Sequence, residues 1–170
     1  MQARTTLLCL FALSMVITGC PVSNSVPFSD KSSADKFDKT LLGTWENDES
    51  EVEANEVNIT KGKAANTYKI KITKPGSTFD SQTKLFTGWI TTMNKTRFLV
   101  LQAELNSDAD DVYYYLYTIE SGEKSLTTHH VTYDVEDAAN TETINEFQKL
   151  VLENRNREDF LEGEIEWIKR

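Results

Sequence analysis

From residue 41 onward the chain divides into short runs of alternating apolar and polar positions, each closed by turn residues. In Tyr68-Lys69-Ile70-Lys71-Ile72 the alternation is complete, so Tyr68, Ile70 and Ile72 share a buried face and both lysines face water. Runs of this kind at 41–46, 57–60, 68–73, 84–92, 97–104, 112–119 and 126–133 predict seven antiparallel strands. Met93-Asn94-Lys95-Thr96 and Glu120-Ser121-Gly122-Glu123 have the residue types of hairpin turns. Strands joined in sequence by short links form a meander. Without crossover helices a meander of this size becomes a sandwich or a closed barrel, and closure removes the unpaired edges that invite aggregation, which favours the barrel.

The period changes after residue 142. Thr143-Ile144-Asn145-Glu146 fits a capping box, and Ile144, Phe147, Leu150 and Val151 then fall on one helical stripe. A helix packed on the sheet is predicted, broken near Asn154-Arg155-Asn156. A short turn is expected to hold Phe160 and Leu161 and to end at Gly163, before a last strand at Ile165-Glu166-Trp167-Ile168.

The N-terminus has a different texture. Arg4 and the terminal amine precede an apolar run over 7–17, whose eleven residues span about 16 Å as a helix, against a hydrocarbon core of about 30 Å. That layout is a secretory signal rather than a membrane span. The run closes on Ile17-Thr18-Gly19-Cys20, which resembles the lipobox of bacterial lipoproteins. The resemblance implies cleavage before Cys20, a diacylglycerol thioether on its sulfur and an acylated α-amine, and several acyl chains hold a domain on a membrane stably. Pro21-Val22 does not resemble the acidic second residue that retains some lipoproteins in the inner membrane. The implied address is therefore the outer membrane, facing the periplasm. Residues 21–37 hold five Ser and two Pro without apolar periodicity and read as a flexible tether. The expected organisation is a signal peptide at 1–19, a lipidated Cys and tether at 20–37, and one β domain at 38–170.

Cysteine and charge narrow the chemistry. Cys9 and Cys20 are the two cysteines, and Cys9 leaves with the signal, so the mature domain has no disulfide and no nucleophilic or metal-binding thiol. The net charge is −9 and Arg4 is the only charged side chain of residues 1–19, which leaves −10 on the mature protein. That sign disfavours nucleic acid and anionic headgroups and suits either solubility, as a solvated acidic surface, or a basic partner.

Leu42-Gly43-Thr44-Trp45 opens the first strand, and its Gly-x-Trp, together with the order meander, helix, strand, resembles the lipocalin and wider calycin families. Gly43 and Trp45 match the motif. The family's Thr-Asp-Tyr motif is absent, since Thr132-Tyr133-Asp134 has another order, and Arg170 is the candidate for the closing Arg of the last strand. The resemblance implies an eight-stranded up-and-down barrel, with Trp45 plugging the closed end, that holds a small apolar ligand.

Tyr113, Tyr115 and Tyr117 alternate along one strand face, and in a lumen they would suit an amphipathic or aromatic ligand. Trp89 is a further candidate wall residue, although Gly88 beside it marks a bulge or close packing. Asn106-Ser107-Asp108-Ala109-Asp110-Asp111 opens like a calcium loop but lacks the Gly and the terminal Glu, and reads as a solvated acidic turn. His129 and His130 are neighbours on a strand, so they point to opposite faces and cannot share a metal. No nucleophile, acid–base pair or cofactor motif emerges. A non-enzymatic lipoprotein is expected, without cofactor or metal. It either binds a small hydrophobic or amphipathic molecule or acts on a protein, as an envelope-assembly component or an inhibitor of a basic extracellular hydrolase.

Overall fold

The computed structural model describes residues 23–47, 56–73, 83–104, 112–132 and 141–170. Among them eight strands close into one antiparallel barrel in chain order: β1 (Gly43–Glu46), β2 (Glu56–Lys61), β3 (Thr67–Thr73), β4 (Thr83–Met93), β5 (Thr96–Ala103), β6 (Tyr114–Ser121), β7 (Ser125–Val131) and β8 (Leu161–Lys169). Helix α1 (Ile144–Asn154) lies between β7 and β8. This is the expected up-and-down, lipocalin-like barrel with a helix ahead of the closing strand.

Alternation sets the inner face. Tyr68 and Ile70 of β3 are buried while Lys69 and Lys71 are exposed. Register then stacks Ile59 on Ile70, Ile70 on Phe86, Gly88 on Leu101 and Leu126 on Trp167. β4 pairs with both neighbours without a register shift, so Gly88 marks close packing rather than a bulge. A Cβ there would lie 2.6 Å from Ile70 Cδ1, inside a lumen that is already full.

A second core lies outside the barrel. Trp89, Phe98, Val100, Leu116 and Val131 point outward and are covered by Phe28, Phe147, Val151 and Phe160. The middles of β4 and β5 are therefore buried on both faces, which is why Trp89-Ile90 and Phe98-Leu99-Val100-Leu101 are apolar without alternation. α1 starts as expected: the Thr143 hydroxyl accepts from the Glu146 amide, and the Glu146 carboxylate accepts from the Thr143 amide.

Three expectations are corrected. The described part of the expected tether is a strap packed on the barrel wall. Asn24 exchanges two backbone hydrogen bonds with Tyr114, at 2.8 and 2.9 Å, and Phe28 is fully buried with its ring 4.7 Å from that of Phe98. The Ser29 hydroxyl bonds that of Thr91, and the Asp35 amide donates to Ile90 O. Burying one Phe and pairing these backbone groups offsets the ordering entropy that the Ser-rich composition suggested would win.

The second correction concerns Gly163, which ends nothing. It lies inside β8 at φ +60°, where the β7–β8 register shifts between Thr128 and His130. It is a bulge residue, and glycine is the side chain that this backbone accepts. The third concerns the closing cation, which is Lys169 rather than Arg170. Lys169 pairs with Trp45, lays its ammonium 5.1 Å from the Trp45 ring centroid and donates to Thr40 O at 2.8 Å. Arg170 instead pairs with Glu46 at 2.7 Å.

The barrel has unlike ends. At one, here called the floor, β2–β3, β4–β5 and β6–β7 are joined by turns at 62–66, 94–95 and 122–124, and the 3₁₀ turn Lys39–Leu41 leads into β1. Asn94 and Lys95 both have positive φ, as a two-residue hairpin turn of the type that matches strand twist requires. The opposite end, the mouth, carries the longer links from β1 to β2, β3 to β4, β5 to β6 and β7 to α1.

Candidate functional site

The floor is closed by a polar clasp over an apolar plug. Trp45 is fully buried and its indole N–H donates to Leu41 O at 2.9 Å. Gly43 is needed beside it: at φ +138°, a Cβ there would lie 2.9 Å from Lys169 Cε, in the path the lysine takes to the Trp45 ring. Arg97 reaches from β5 to Asp38 and to the Ser121 hydroxyl, both at 2.7 Å. Tyr68 OH accepts from the Asp38 amide at 2.8 Å. Burial raises the Asp38 pKa, but hydrogen bonds from the Thr40 hydroxyl and amide and from Arg97 outweigh it, and the carboxyl sits below the ordinary carboxylate value. Burial pushes the Tyr68 phenol up.

Above this plug the lumen is packed. A gap among Leu41, Ile59, Tyr68, Ile70, Leu99, Ile119 and Leu126 holds about 10 Å³, the room of a single water. Toward the mouth the inward side chains change character: Ile72, Ala103, Tyr115, Tyr117, His130 and Ile165 are half-buried rather than buried. The Tyr115 ring meets Phe86 edge-on at 5.9 Å, and Tyr117 meets His130 edge-on at 4.8 Å. His130 pairs across the sheet with Glu162, and the bulge residue Gly163 leaves its bare Cα against the imidazole. Two tyrosines, a phenylalanine and a histidine thus come together at the mouth end of the lumen, a cluster called the cup below.

Of the expected tyrosine triplet, Tyr115 and Tyr117 are half-buried on the lumen side, and Tyr113, just ahead of β6, is 39 % exposed. Trp89 faces out of the barrel, buried beneath the strap, where its indole N–H donates to the Ser29 hydroxyl at 3.0 Å and Tyr114 meets it edge-on. Alternation cannot tell inside from outside on a strand buried on both faces, so sequence alone could not place it. His129 and His130 point to opposite faces, as strand geometry requires. Cys20 and the acidic stretch 106–111 lie outside the described residues. Among the described residues no three His, Cys, Asp or Glu side chains converge as a metal site would need.

His130 and Gly163 were missed as cup residues. Their signal was a strand histidine opposite a glycine at a register shift, which becomes visible only once β7 and β8 are aligned. Also unforeseen is an open groove of about 950 Å³ on the outer wall, bedded by Phe98, Leu152 and Phe160, with Lys95 and Arg155 at its margin. Its walls come from the β4–β5 hairpin, β6, the end of α1 and the start of β8, segments too far apart in the chain to read as one motif. No family model, curated protein or solved structure matches this chain.

Proposed function

We propose that this chain is a non-enzymatic envelope lipoprotein, anchored through acylated Cys20 to the periplasmic face of the outer membrane, whose barrel mouth takes up a small hydrophobic or amphipathic molecule. The observation that carries the reading is the packing gradient along the lumen. Side chains are buried at the floor and half-buried at the mouth, where aromatic rings with polar edges converge. Such a cup suits a short apolar body with a polar end at the rim. It is too shallow for a long chain, since the lower lumen is filled. The anchor rests on the Ile17-Thr18-Gly19-Cys20 box.

The second reading, a protein-interaction lipoprotein that engages a basic partner, draws on the same filled lower lumen and on the acidity of the mouth-end links, which hold thirteen Asp or Glu and one Lys. Titration of the exported Cys20→Ser chain with a hydrophobic fluorescent probe separates the two. One saturable site, indifferent to salt and lost when Ala103→Trp fills the cup, is expected. No saturable binding, together with capture of a basic envelope protein that salt releases, would favour the partner reading. For the anchor, Cys20→Ser should abolish fatty-acid labelling and membrane association; equal labelling of the variant would remove that part of the proposal.

A further inference from the structure

The charge of this acidic protein is divided between the ends of the barrel. The floor segments 35–40, 61–66, 94–97, 120–125 and 169–170 together hold nine Lys or Arg against four Asp or Glu, whereas the mouth-end links carry the acid. Lys39, Lys63, Lys95 and Lys124 are exposed, one on each of the four corners of the floor, and Lys36 and Lys61 stand beside them. Among the described residues none of these six is in an ion pair, while Asp38 is taken by Arg97 and the Asp35 carboxylate accepts from the Thr92 hydroxyl. The corners are two strand spacings apart, roughly 10 Å along the rim. That is about one Debye length at 0.1 M salt, so the lysine fields overlap into one positive end.

We infer that the floor is a docking surface for a carboxylate-bearing polysaccharide. Four features of the ring argue for this occupant. The cations are lysines, compact point charges that can meet a row of spaced single carboxylates without the bidentate geometry an arginine fork imposes. No exposed aromatic stands among them to stack bases, which disfavours single-stranded nucleic acid. Of the large exposed apolar side chains among the described residues, Leu85, Val112, Tyr113 and Leu161 lie toward the mouth, and Ile168 beside Lys169 stands alone at the floor end, too little for the desolvated anchor of a protein interface. Finally, the strap runs from the floor at Asp38 to the mouth end, where Asn24 bonds Tyr114 and its side-chain amide donates to Thr141.

Cys20 is four residues from Asn24, at most about 14 Å of extended chain. On the proposed reading of Cys20 as the acylated anchor, the floor points away from the anchoring bilayer. The protein then joins two layers, a membrane at the mouth end and an anionic glycan at the floor.

The test has a soluble and a membrane-bound arm. In the first, the exported Cys20→Ser chain is titrated with polygalacturonate, with RNA and phosphatidylglycerol vesicles as competitors. Binding to the glycan is expected to fall at least about tenfold between 50 and 200 mM salt. It should fall about as much again in Lys63→Glu/Lys95→Glu, but only slightly in Lys69→Glu/Lys71→Glu, which makes the same change of net charge on the barrel wall. Equal losses in the two variants, no glycan binding, or preference for RNA or vesicles would each overturn the inference. In the second arm, the acylated chain on zwitterionic vesicles should capture the polymer. A chain that binds polymer when soluble but not from the vesicle surface refutes the outward-facing floor. A chain that never associates with vesicles refutes the Cys20 reading and leaves the lysine ring to the first arm.

Discussion

Phe28→Ala tests whether the strap belongs to the fold. The Phe28 ring has no exposed surface, lies 4.7 Å from Phe98 and meets Phe147 edge-on at 5.9 Å. Truncating a buried Phe to Ala costs roughly 3–5 kcal/mol, from lost transfer free energy and the cavity left behind. For an urea m-value of about 2 kcal/mol/M, the midpoint should drop by roughly 1.5–2.5 M. The loss has a ceiling, because a strap that peels away first can forfeit no more than its own docking free energy. The comparison is therefore made twice, by equilibrium unfolding of the Cys20→Ser chain and by limited proteolysis, where early cleavage within 24–37 reports peeling. Phe28→Leu, which nearly conserves volume, should cost less than about 1.5 kcal/mol. A midpoint for Phe28→Ala within about 0.3 M of the parent, with no new cleavage, would mean that the strap contributes nothing and that the tether reading was right after all.

Other perturbations separate individual contributions. Trp45→Ala should destabilise the barrel by roughly 3–5 kcal/mol, read from denaturant midpoints, and an unchanged midpoint would remove Trp45 from its role as the floor plug. Gly163→Ala should cost about 1–2 kcal/mol of thermal stability from the left-handed backbone alone, since the new Cβ would meet His130 at an ordinary 3.7 Å; a neutral result would mean that the bulge relaxes. Asp38 has a lowered folded pKa, so its contribution is full above the unfolded carboxylate value near ~3.9 and disappears as pH falls through the folded value. The stability gap between the parent and Asp38→Asn, about 1 kcal/mol at pH 6, should close by pH 2, and a gap independent of pH would refute the assignment.

Much of the fold was legible because strands with one wet face declare themselves. β3 alternates without exception, and Thr143 to Glu146 announces α1. Gly43 and Trp45 pointed to the right end of the barrel. What escaped notice depended on single contacts or on register. Phe28 is one apolar residue among serines and prolines, and one residue has no period, so a strap held by a single anchor resembles a tether. Lys169 and Arg170 are adjacent, and only the pairing of Trp45 with Lys169 decides which crosses the floor. Tyr115 and Tyr117 were legible as sharing one face, but Tyr114 and Leu116 between them are also large and buried outside, so alternation alone left open which face is the lumen. The charge division between the ends was hidden by the net value, since it appears only when turns are sorted by the end on which they fall.

The closure of the barrel also bears on the order in which it assembles. Seven of its eight strand pairs join neighbours in the chain, whereas β1 and β8 are more than 110 residues apart and share two register pairs, Trp45 with Lys169 and Glu46 with Ile168. Side chains reinforce that seam: Asn47 donates to Glu166 O, Lys169 to Thr40 O, and Arg170 pairs with Glu46. Loop closure over so long a span carries the largest entropic cost for the fewest backbone bonds, so the seam should zip last, after the β3–β6 hairpins have formed. Native-state hydrogen exchange should accordingly find the seam amides opening before those of β4 and β5, and equal protection would contradict this order. Until the seam shuts, the chain is a curled sheet with two bare edges, each free to pair with a strand of another chain.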